Sequence, residues 1–152
     1  MGATVVAGFF VCGRFYFANV GDSRAYLFRK GRLRQLTSDH SVVGELVEKG
    51  DIDAGEELTH PAAGQLTRYI GIDSGAQADV KSLTVKRGDS FLLCSDGLSD
   101  LVSDEQIAEI MGKLKDAGRC CERLVEMANE AGGFDNITSV IVHAEALSIA
   151  GQ

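Results

Sequence analysis

Proline and tryptophan are almost absent from this 152-residue sequence, which has one proline, Pro61, and no tryptophan. A proline-rich linker is therefore excluded, and no internal repeat or low-complexity tract divides the chain, so a single domain is expected. Long apolar runs are missing too. The first twelve residues are apolar, but a membrane span needs about 20 and a signal peptide begins with basic residues. The sequence therefore predicts no membrane partner.

Basic residues are outnumbered, with 15 Lys and Arg against 22 Asp and Glu, and the formal net charge is −7. This excess of acidic residues argues against nucleic acid as a partner and permits the binding of cations. Cysteine is also sparse, with four residues and no C-x-x-C pair. Because this pattern predicts no disulfide, we expect a reducing, cytoplasmic location.

Apolar patterning predicts two β-hairpins in the first 36 residues, pairing 3–11 with 14–20 and 24–29 with 32–36. We expect the first hairpin to be buried and the two together to form an antiparallel meander. Further strands are predicted at 66–70, 78–85, 90–94 and 136–146. Helices are predicted after residue 38 as far as Gly50, at 104–113 behind a capping box, and at 116–131. This mixture of antiparallel strands and helices is typical of an α+β fold.

Four aspartates lie where the strand pattern breaks, namely Asp22, Asp96, Asp100 and Asp135. Asp96 follows one apolar strand and Asp135 precedes another, so antiparallel pairing of these strands would bring both carboxylates to the same sheet edge. Asp100 lies four residues after Asp96 and would point to the same centre. Clustered carboxylates repel one another unless a cation binds them, and oxygen ligands favour Mg²⁺ or Mn²⁺. Any one of these aspartates alone is more typical of a turn than of a metal site.

Five strings resemble, in order, those of the metal-dependent PP2C (PPM) serine/threonine protein phosphatases of the bacterial type. They are A-N-V-G-D-S-R-A-Y-L at 18–27, L-T-S-D-H-S at 36–41, L-T-R-Y-I-G at 66–71, L-C-S-D-G-L-S-D at 93–100 and D-N-I-T-S-V-I-V at 135–142. The resemblance implies a four-layer αββα sandwich, in which two antiparallel sheets pack face to face between helices. It also implies that residues 1–146 are the carboxy-terminal portion of such a domain and that 147–152 are a tail.

The same resemblance implies metal-binding roles for the four aspartates. Asp96 and Asp135 match ligands of a binuclear Mg²⁺ or Mn²⁺ centre, and Asp22 and Asp100 match, together with Asp96, a third metal site that many members have. The implied reaction is hydrolysis of phosphoserine and phosphothreonine in a phosphoprotein substrate by a metal-activated water. The residues that match supporting positions in the metal-binding loops are Gly97 and Asn136.

Other matched positions leave alternatives open. Arg24 and Arg68 match family arginines, and each is equally compatible with a structural ion pair. For His40 we expect a structural hydrogen-bonding role. Residues 51–59 fall where the family has a variable flap, which suggests a role in substrate selection. The basic cluster at 29–34 is expected to be a solvated hairpin face rather than a nucleic-acid site.

Two family strings do not occur in the sequence: an Arg-x-x-Met-Glu-Asp-like string and Asp-Gly-His-Gly. In the family they lie in the amino-terminal part of the domain and supply a phosphate-binding arginine, acidic ligands and an acid-acting histidine. We therefore expect impaired phosphatase activity from these residues alone, and the alternative is an inactive metal-binding pseudophosphatase or interaction module. Loss of neighbouring strands also predicts exposed sheet edges and an uncovered apolar face, and with them either self-association or marginal stability.

Overall fold

The computed structural model describes residues 2–72 and 75–145, which form seven strands in two antiparallel sheets. The three-stranded sheet has the order β1-β2-β5, with β1 at Val5–Val11, β2 at Arg14–Val20 and β5 at Asp79–Thr84. The four-stranded sheet has the order β4-β3-β6-β7, with β3 at Arg24–Arg29, β4 at Arg32–Gln35, β6 at Ser90–Cys94 and β7 at Ser139–His143. The predicted tail at 147–152 lies outside the described residues.

The helices are α1 at Val42–Lys49, a 3₁₀-helix at Ala54–Thr59, α2 at Asp96–Ser99, α3 at Asp104–Lys113 and α4 at Ala117–Glu130. Side-chain caps mark the starts of α1, α3 and α4. The hydroxyl of Ser41 accepts a hydrogen bond from Gly44 N at the start of α1, and Gly50 ends that helix at a φ of 76°. The predicted capping box of α3, formed by Ser103 and Gln106, is present. No helix in the described ranges is long and apolar enough to cross a membrane.

Alternating side chains of the four-stranded sheet build two cores. Tyr26 and Leu92 pack under α3 and α4, whereas Leu27 and Phe91 face the three-stranded sheet. The ring of Phe91 lies 4.4 Å, centroid to centroid, from that of Phe15 on β2. The two sheets therefore pack face to face with helices outside the larger one, and the predicted α+β sandwich is confirmed.

The outer face of the three-stranded sheet is open in this structure. Phe9 and Val80 lie on it and are 61% and 69% exposed. Phe9 stacks on Tyr16 of the neighbouring strand at a ring-centroid distance of 5.2 Å. The sheet thus presents an apolar surface to solvent, which is uncommon for a soluble domain.

Two predictions for the amino-terminal strands were wrong. The hairpin of β1 and β2 forms, but β1 is exposed except at Val6, because it is an edge strand with an uncovered outer face among the described residues. The hairpins do not form one meander either, since β2 and β3 lie in different sheets and residues 21–23 connect them.

Residues 66–70, predicted as a strand, instead form an irregular segment. It makes only isolated bridges, from Leu66 to Ser41 and from Ile70 to Ala3. The carbonyl oxygen of His40 accepts hydrogen bonds from the amides of Thr67 and Arg68. The backbone of this segment is therefore hydrogen-bonded to the loop at His40 and not to a neighbouring β-strand. The last strand is also shorter than predicted, and the residues before Ser139 form a loop beside α2.

Candidate metal centre

Three of the four predicted aspartates border one cavity. Asp22 follows β2, Asp96 begins α2, and Asp100 ends that single helical turn. Burial, reinforced by the Asp96 carboxylate, raises the pKa of Asp22. The surrounding protein also partly desolvates the Asp100 carboxyl and raises its pKa to about 6, although the residue is open to solvent on one side, and the two neighbouring aspartates add to the effect. The cavity therefore concentrates negative charge that the protein's own cations only partly neutralise.

Asp135 lies beside this cavity rather than in it. Together with Asn136 it borders an adjoining pocket, and Gly64 borders both spaces. Asp135 and Asp100 are exposed, whereas Asp22 and Asp96 are partly buried. The structure thus brings Asp22, Asp96 and Asp100 together and places Asp135 next to them.

The turn at Asp96 and the loop at Asp135 are bound directly to each other. Antiparallel pairing of β6 with β7 sets Cys94 opposite Ser139, so the two segments leave the sheet at the same edge, as predicted. The Ser95 hydroxyl donates to the carbonyl oxygen of Asn136 at 3.1 Å and accepts from the amide of Thr138 at 3.0 Å. These bonds hold the two aspartate-bearing segments side by side.

Asn136 contributes through its backbone. Its amide donates to Asp135 Oδ1 at 2.6 Å, which fixes the orientation of that carboxylate. The Asp96 carboxylate is oriented in the same way, since its Oδ1 accepts from the amide of Gly97 at 2.8 Å. A contact of the Asn136 side chain with a metal-bound water, which the resemblance implies, stays a prediction.

One wall of the cavity is an ion-pair network that the sequence analysis did not identify. The guanidinium of Arg24 bonds to Asp39, with Nη2 to Oδ2 at 2.6 Å, and its Nη2 also lies 3.1 Å from Glu57 Oε2. Of the two roles left open for Arg24, the structure shows the ion pair. Arg68 likewise pairs with Asp79 at 2.8 Å. The only signal for Asp39 in the sequence is its place in the string L-T-S-D-H-S.

The chemistry of the donors fits a hard divalent cation. The three clustered side chains offer oxygen alone, and a cation would relieve the repulsion that raises the pKa of Asp22 and Asp100. Within residues 2–72 and 75–145, however, no three Asp, Glu, His or Cys side chains converge into a finished metal site. A site of this kind would need water or further ligands, and Mg²⁺ commonly keeps several waters.

A family model described as protein phosphatase 2C matches residues 1–132. The chain belongs to the protein phosphatase 2C family. Among curated relatives, the serine/threonine phosphatase stp of Listeria monocytogenes is 37% identical over 145 residues, which is 95% of this chain and 58% of that protein. The serine/threonine protein phosphatase PstP of Mycobacterium tuberculosis is 40% identical over 93% of this chain and 27% of its own length.

Solved structures of phosphatase 2C relatives share the fold. Stp1 of Staphylococcus aureus has a TM-score of 0.90 at 34% identity, covering 95% of this chain and 57% of that one. The catalytic domain of PstP, solved in complex with two manganese ions, has a TM-score of 0.81 at 37% identity, covering 92% of this chain and 57% of that one. The chain therefore spans a little under three fifths of these two solved chains and of Listeria stp, and about a quarter of full-length PstP.

Proposed function

We propose that this chain is part of a metal-dependent protein serine/threonine phosphatase and that Asp22, Asp96, Asp100 and Asp135 bind its divalent cations. The observation that carries the proposal is the cavity at the sheet edge, where Asp22, Asp96 and Asp100 place oxygen ligands and unbalanced negative charge together. The manganese complex of the related PstP domain supports Mn²⁺ or Mg²⁺ as the cation. The substrate class proposed from the family is a phosphoserine or phosphothreonine protein.

Each residue has a defined task in this proposal. When bound, divalent cations would neutralise charge on the phosphoryl group and favour deprotonation of a water nucleophile. Asp96 and Asp135 hold their carboxylates at a fixed separation because Ser95 binds the two loops together: its hydroxyl donates to the carbonyl oxygen of Asn136, and its amide donates to that of Thr138. Asp22 and Asp100 complete the negative side of the cavity. No covalent nucleophile on the protein is required.

Arg24 is not the phosphate-binding group in this proposal. Its guanidinium is engaged by Asp39, by Glu57 and by the hydroxyl of Tyr26 at 3.3 Å. A phosphate dianion would have to displace two carboxylates from it. Arg68 is likewise paired, with Asp79, so neither arginine that matches the family offers a free guanidinium to phosphate, which supports impaired turnover by this chain alone.

The first test is Mn²⁺ binding by the purified 152-residue chain, measured by titration calorimetry. We expect binding to the wild type and at least about tenfold weaker binding to Asp96→Asn, since a carboxylate ligand is lost. Glu122→Gln is the matched control, because it removes the same charge from an exposed position on α4 and should leave the affinity unchanged. Equal affinity of Asp96→Asn and the wild type would contradict the proposal.

The second test separates an enzyme from an inactive module. Mn²⁺-dependent hydrolysis of p-nitrophenyl phosphate and of a phosphothreonine peptide is measured for the wild type and Asp96→Asn. Turnover that disappears in Asp96→Asn supports the phosphatase. Mn²⁺ binding without turnover supports the alternative, a metal-binding pseudophosphatase or interaction module, which the missing family strings and the unfinished metal site favour.

Self-association is proposed as well, through the exposed edge of β1. This strand pairs only with β2 among the described residues, and its seven residues carry no charge. Uncharged edge strands pair readily with other strands. Cytoplasmic location also remains a proposal; its support is that all four cysteines are free thiols.

A further inference from the structure

His40 binds both polar backbone groups of Gly21, the residue directly before Asp22. The imidazole Nδ1 accepts a hydrogen bond from the Gly21 amide at 3.1 Å, and the His40 amide donates to the Gly21 carbonyl oxygen at 3.0 Å. His40 is 1% exposed, so water does not compete with these bonds. The carbonyl group of Gly21 is part of the planar peptide bond between Gly21 and Asp22. By binding this carbonyl, His40 fixes the orientation of that peptide and thereby the direction of the Asp22 side chain.

The hydrogen bonds from His40 stabilise an uncommon backbone conformation at Gly21. Its φ is 101°, a conformation that favours glycine, and a Cβ at this position would collide with Thr4. Asn19 adds a second support, since its Nδ2 donates to the carbonyl oxygen of Ser38 at 2.9 Å and approaches that of Gly21 at 3.5 Å. The loop that carries Asp22 therefore depends on partners from the segment around His40.

The other end of the imidazole ring is oriented by a carboxylate. Because Nδ1 accepts a hydrogen from a backbone amide, the ring proton of neutral His40 lies on Nε2. Nε2 is 3.3 Å from Asp79 Oδ2, which is close enough for attraction, although the two atoms are not aligned as a hydrogen bond. Arg68 donates to the other oxygen of Asp79 at 2.8 Å. A continuous chain of contacts thus runs from Arg68 through Asp79 and His40 to Gly21.

We infer that His40 is a positioning residue for the cation ligand Asp22, acting through the Gly21 amide and held in place by Asp79. The inference rests on the metal-binding role proposed above for Asp22. His40 touches neither cation nor substrate in this scheme. Its contribution is to keep the Asp22 carboxylate aimed into the cavity that Asp96 and Asp100 share.

Two amide substitutions separate positioning from a general structural role. His40→Asn places an amide oxygen near the position of Nδ1 and keeps the bond from Gly21, whereas His40→Gln places its amide near Nε2 and loses that bond. We expect the Gly21 amide to exchange hydrogen about tenfold faster or more in His40→Gln and nearly normally in His40→Asn. Mn²⁺ affinity should follow, falling about 10-fold or more only in His40→Gln.

A double-variant cycle tests the route of action. If His40 acts through Asp22, adding His40→Gln to Asp22→Asn should weaken Mn²⁺ binding no further. Urea unfolding of every variant gives the stability change separately from affinity. Equal loss of affinity in His40→Asn and His40→Gln, or normal Gly21 exchange and affinity in His40→Gln, would overturn the inference.

The two proposals fail in different ways. If Asp22→Asn binds Mn²⁺ as the wild type does, the ligand role of Asp22 is wrong, and Gly21 exchange still shows whether His40 orients the loop. If the His40 variants do not fold, Asp79→Asn replaces them, since Asp79 lies at the partly exposed start of β5. That variant should increase Gly21 exchange and weaken Mn²⁺ binding two- to fivefold or so. Wild-type values for both would overturn the inference.

Discussion

The α-carbon of Gly97 lies directly against the carbonyl oxygen of Asn136, so a Cβ at Gly97 would sit 2.5 Å from that oxygen. The atom in the way is backbone of the neighbouring loop and cannot rotate aside. The absence of a side chain at Gly97 therefore lets the Asp96 turn approach the Asp135 loop closely. Glycine is required here by the packing of two loops and not by its own φ, which is not in the left-handed region.

We predict that Gly97→Ala lowers the free energy of unfolding by about 1–3 kcal/mol, because the added methyl group forces the loops apart. Mn²⁺ affinity should fall as well, since the separation of Asp96 and Asp135 changes. Gly112→Ala on α3 is the control: its Cβ would lie at an ordinary 3.5 Å from Phe28, and helix propensity should make it neutral or stabilising. Equal stability of the two variants in urea unfolding would show that the Gly97 contact is relaxed in solution.

The ion pair of Arg29 and Asp89 stabilises the fold far from the metal centre. Arg29 donates from Nε and Nη2 to the two Asp89 oxygens, each at 2.7 Å, and Asp89 is 1% exposed. Burial alone would raise the pKa of Asp89, but the bonds from Arg29 and from the Lys86 amide outweigh it and hold the pKa below its ordinary 3.8. The folded chain thus binds fewer protons at this site than the unfolded chain, so the stabilisation is present above pH 3.8 and is lost as the pH falls through the folded pKa.

Asp89→Asn should therefore lower the free energy of unfolding by about 2–4 kcal/mol at pH 7, because it leaves Arg29 without its anion. The difference from the wild type should shrink in more acidic solution, below the pKa of the unfolded side chain. Arg123→Gln, which breaks exposed pairs with Glu126 and Glu130 on α4, should cost about 0.5 kcal/mol or less. A pH-independent difference between wild type and Asp89→Asn would contradict the depressed pKa.

Glu57 ties the 3₁₀-helix at Ala54–Thr59 to the wall of the metal cavity through Arg24. Glu57→Gln weakens the ion pair with Arg24, whereas the ion pair of Arg24 with Asp39 remains. The core should therefore stay intact and the effect should be local. We expect the amide of His60, bonded to the carbonyl oxygen of Glu56, to exchange hydrogen about fivefold faster with an unchanged melting temperature. Glu48→Gln on α1 serves as control, and matching exchange in the two variants would show that the ion pair does not restrain the helix.

Local sequence signals predicted the elements that depend on neighbouring residues. The capping box at Ser103 and Gln106 fixed the start of α3, and the break at residues 12–13 located the first hairpin. The meeting of the Asp96 turn and the Asp135 loop was also predictable, because antiparallel pairing of two apolar strands places their adjoining ends at one edge.

Features that depend on distant segments were missed. Arg24 binds Asp39 and Glu57, which are 15 and 33 residues away, and no periodicity marks such a pairing. Burial of β1 was overestimated because an apolar run shows what a strand tends to pack against, not whether a partner is present. The displacement of Asp135 into an adjoining pocket likewise results from loop conformation, which strand pairing alone does not determine.

The exposed edge of β1 leads to a prediction about association. Ala7 lies in the middle of this strand, is exposed, and pairs with Ala18 of β2 on its other side. In an antiparallel pairing of two β1 edges about a two-fold axis, a lysine at this central position would lie close to its own counterpart. The repulsion would oppose pairing, and edge lysines are a common protection against it.

We expect the wild-type chain to sediment with a mass that rises with protein concentration and Ala7→Lys to sediment as a monomer. Ala7→Ser adds polarity without charge and should behave as the wild type. Because Ala7→Lys replaces an exposed side chain, the free energy of unfolding should change by about 0.5 kcal/mol or less. A change in association would therefore not be a result of unfolding. Ala7 is in register with Ala18 and Val80, so its side chain lies on the open apolar face beside the β1 edge. Association that persists in Ala7→Lys would therefore place the contact away from both the β1 edge and this face.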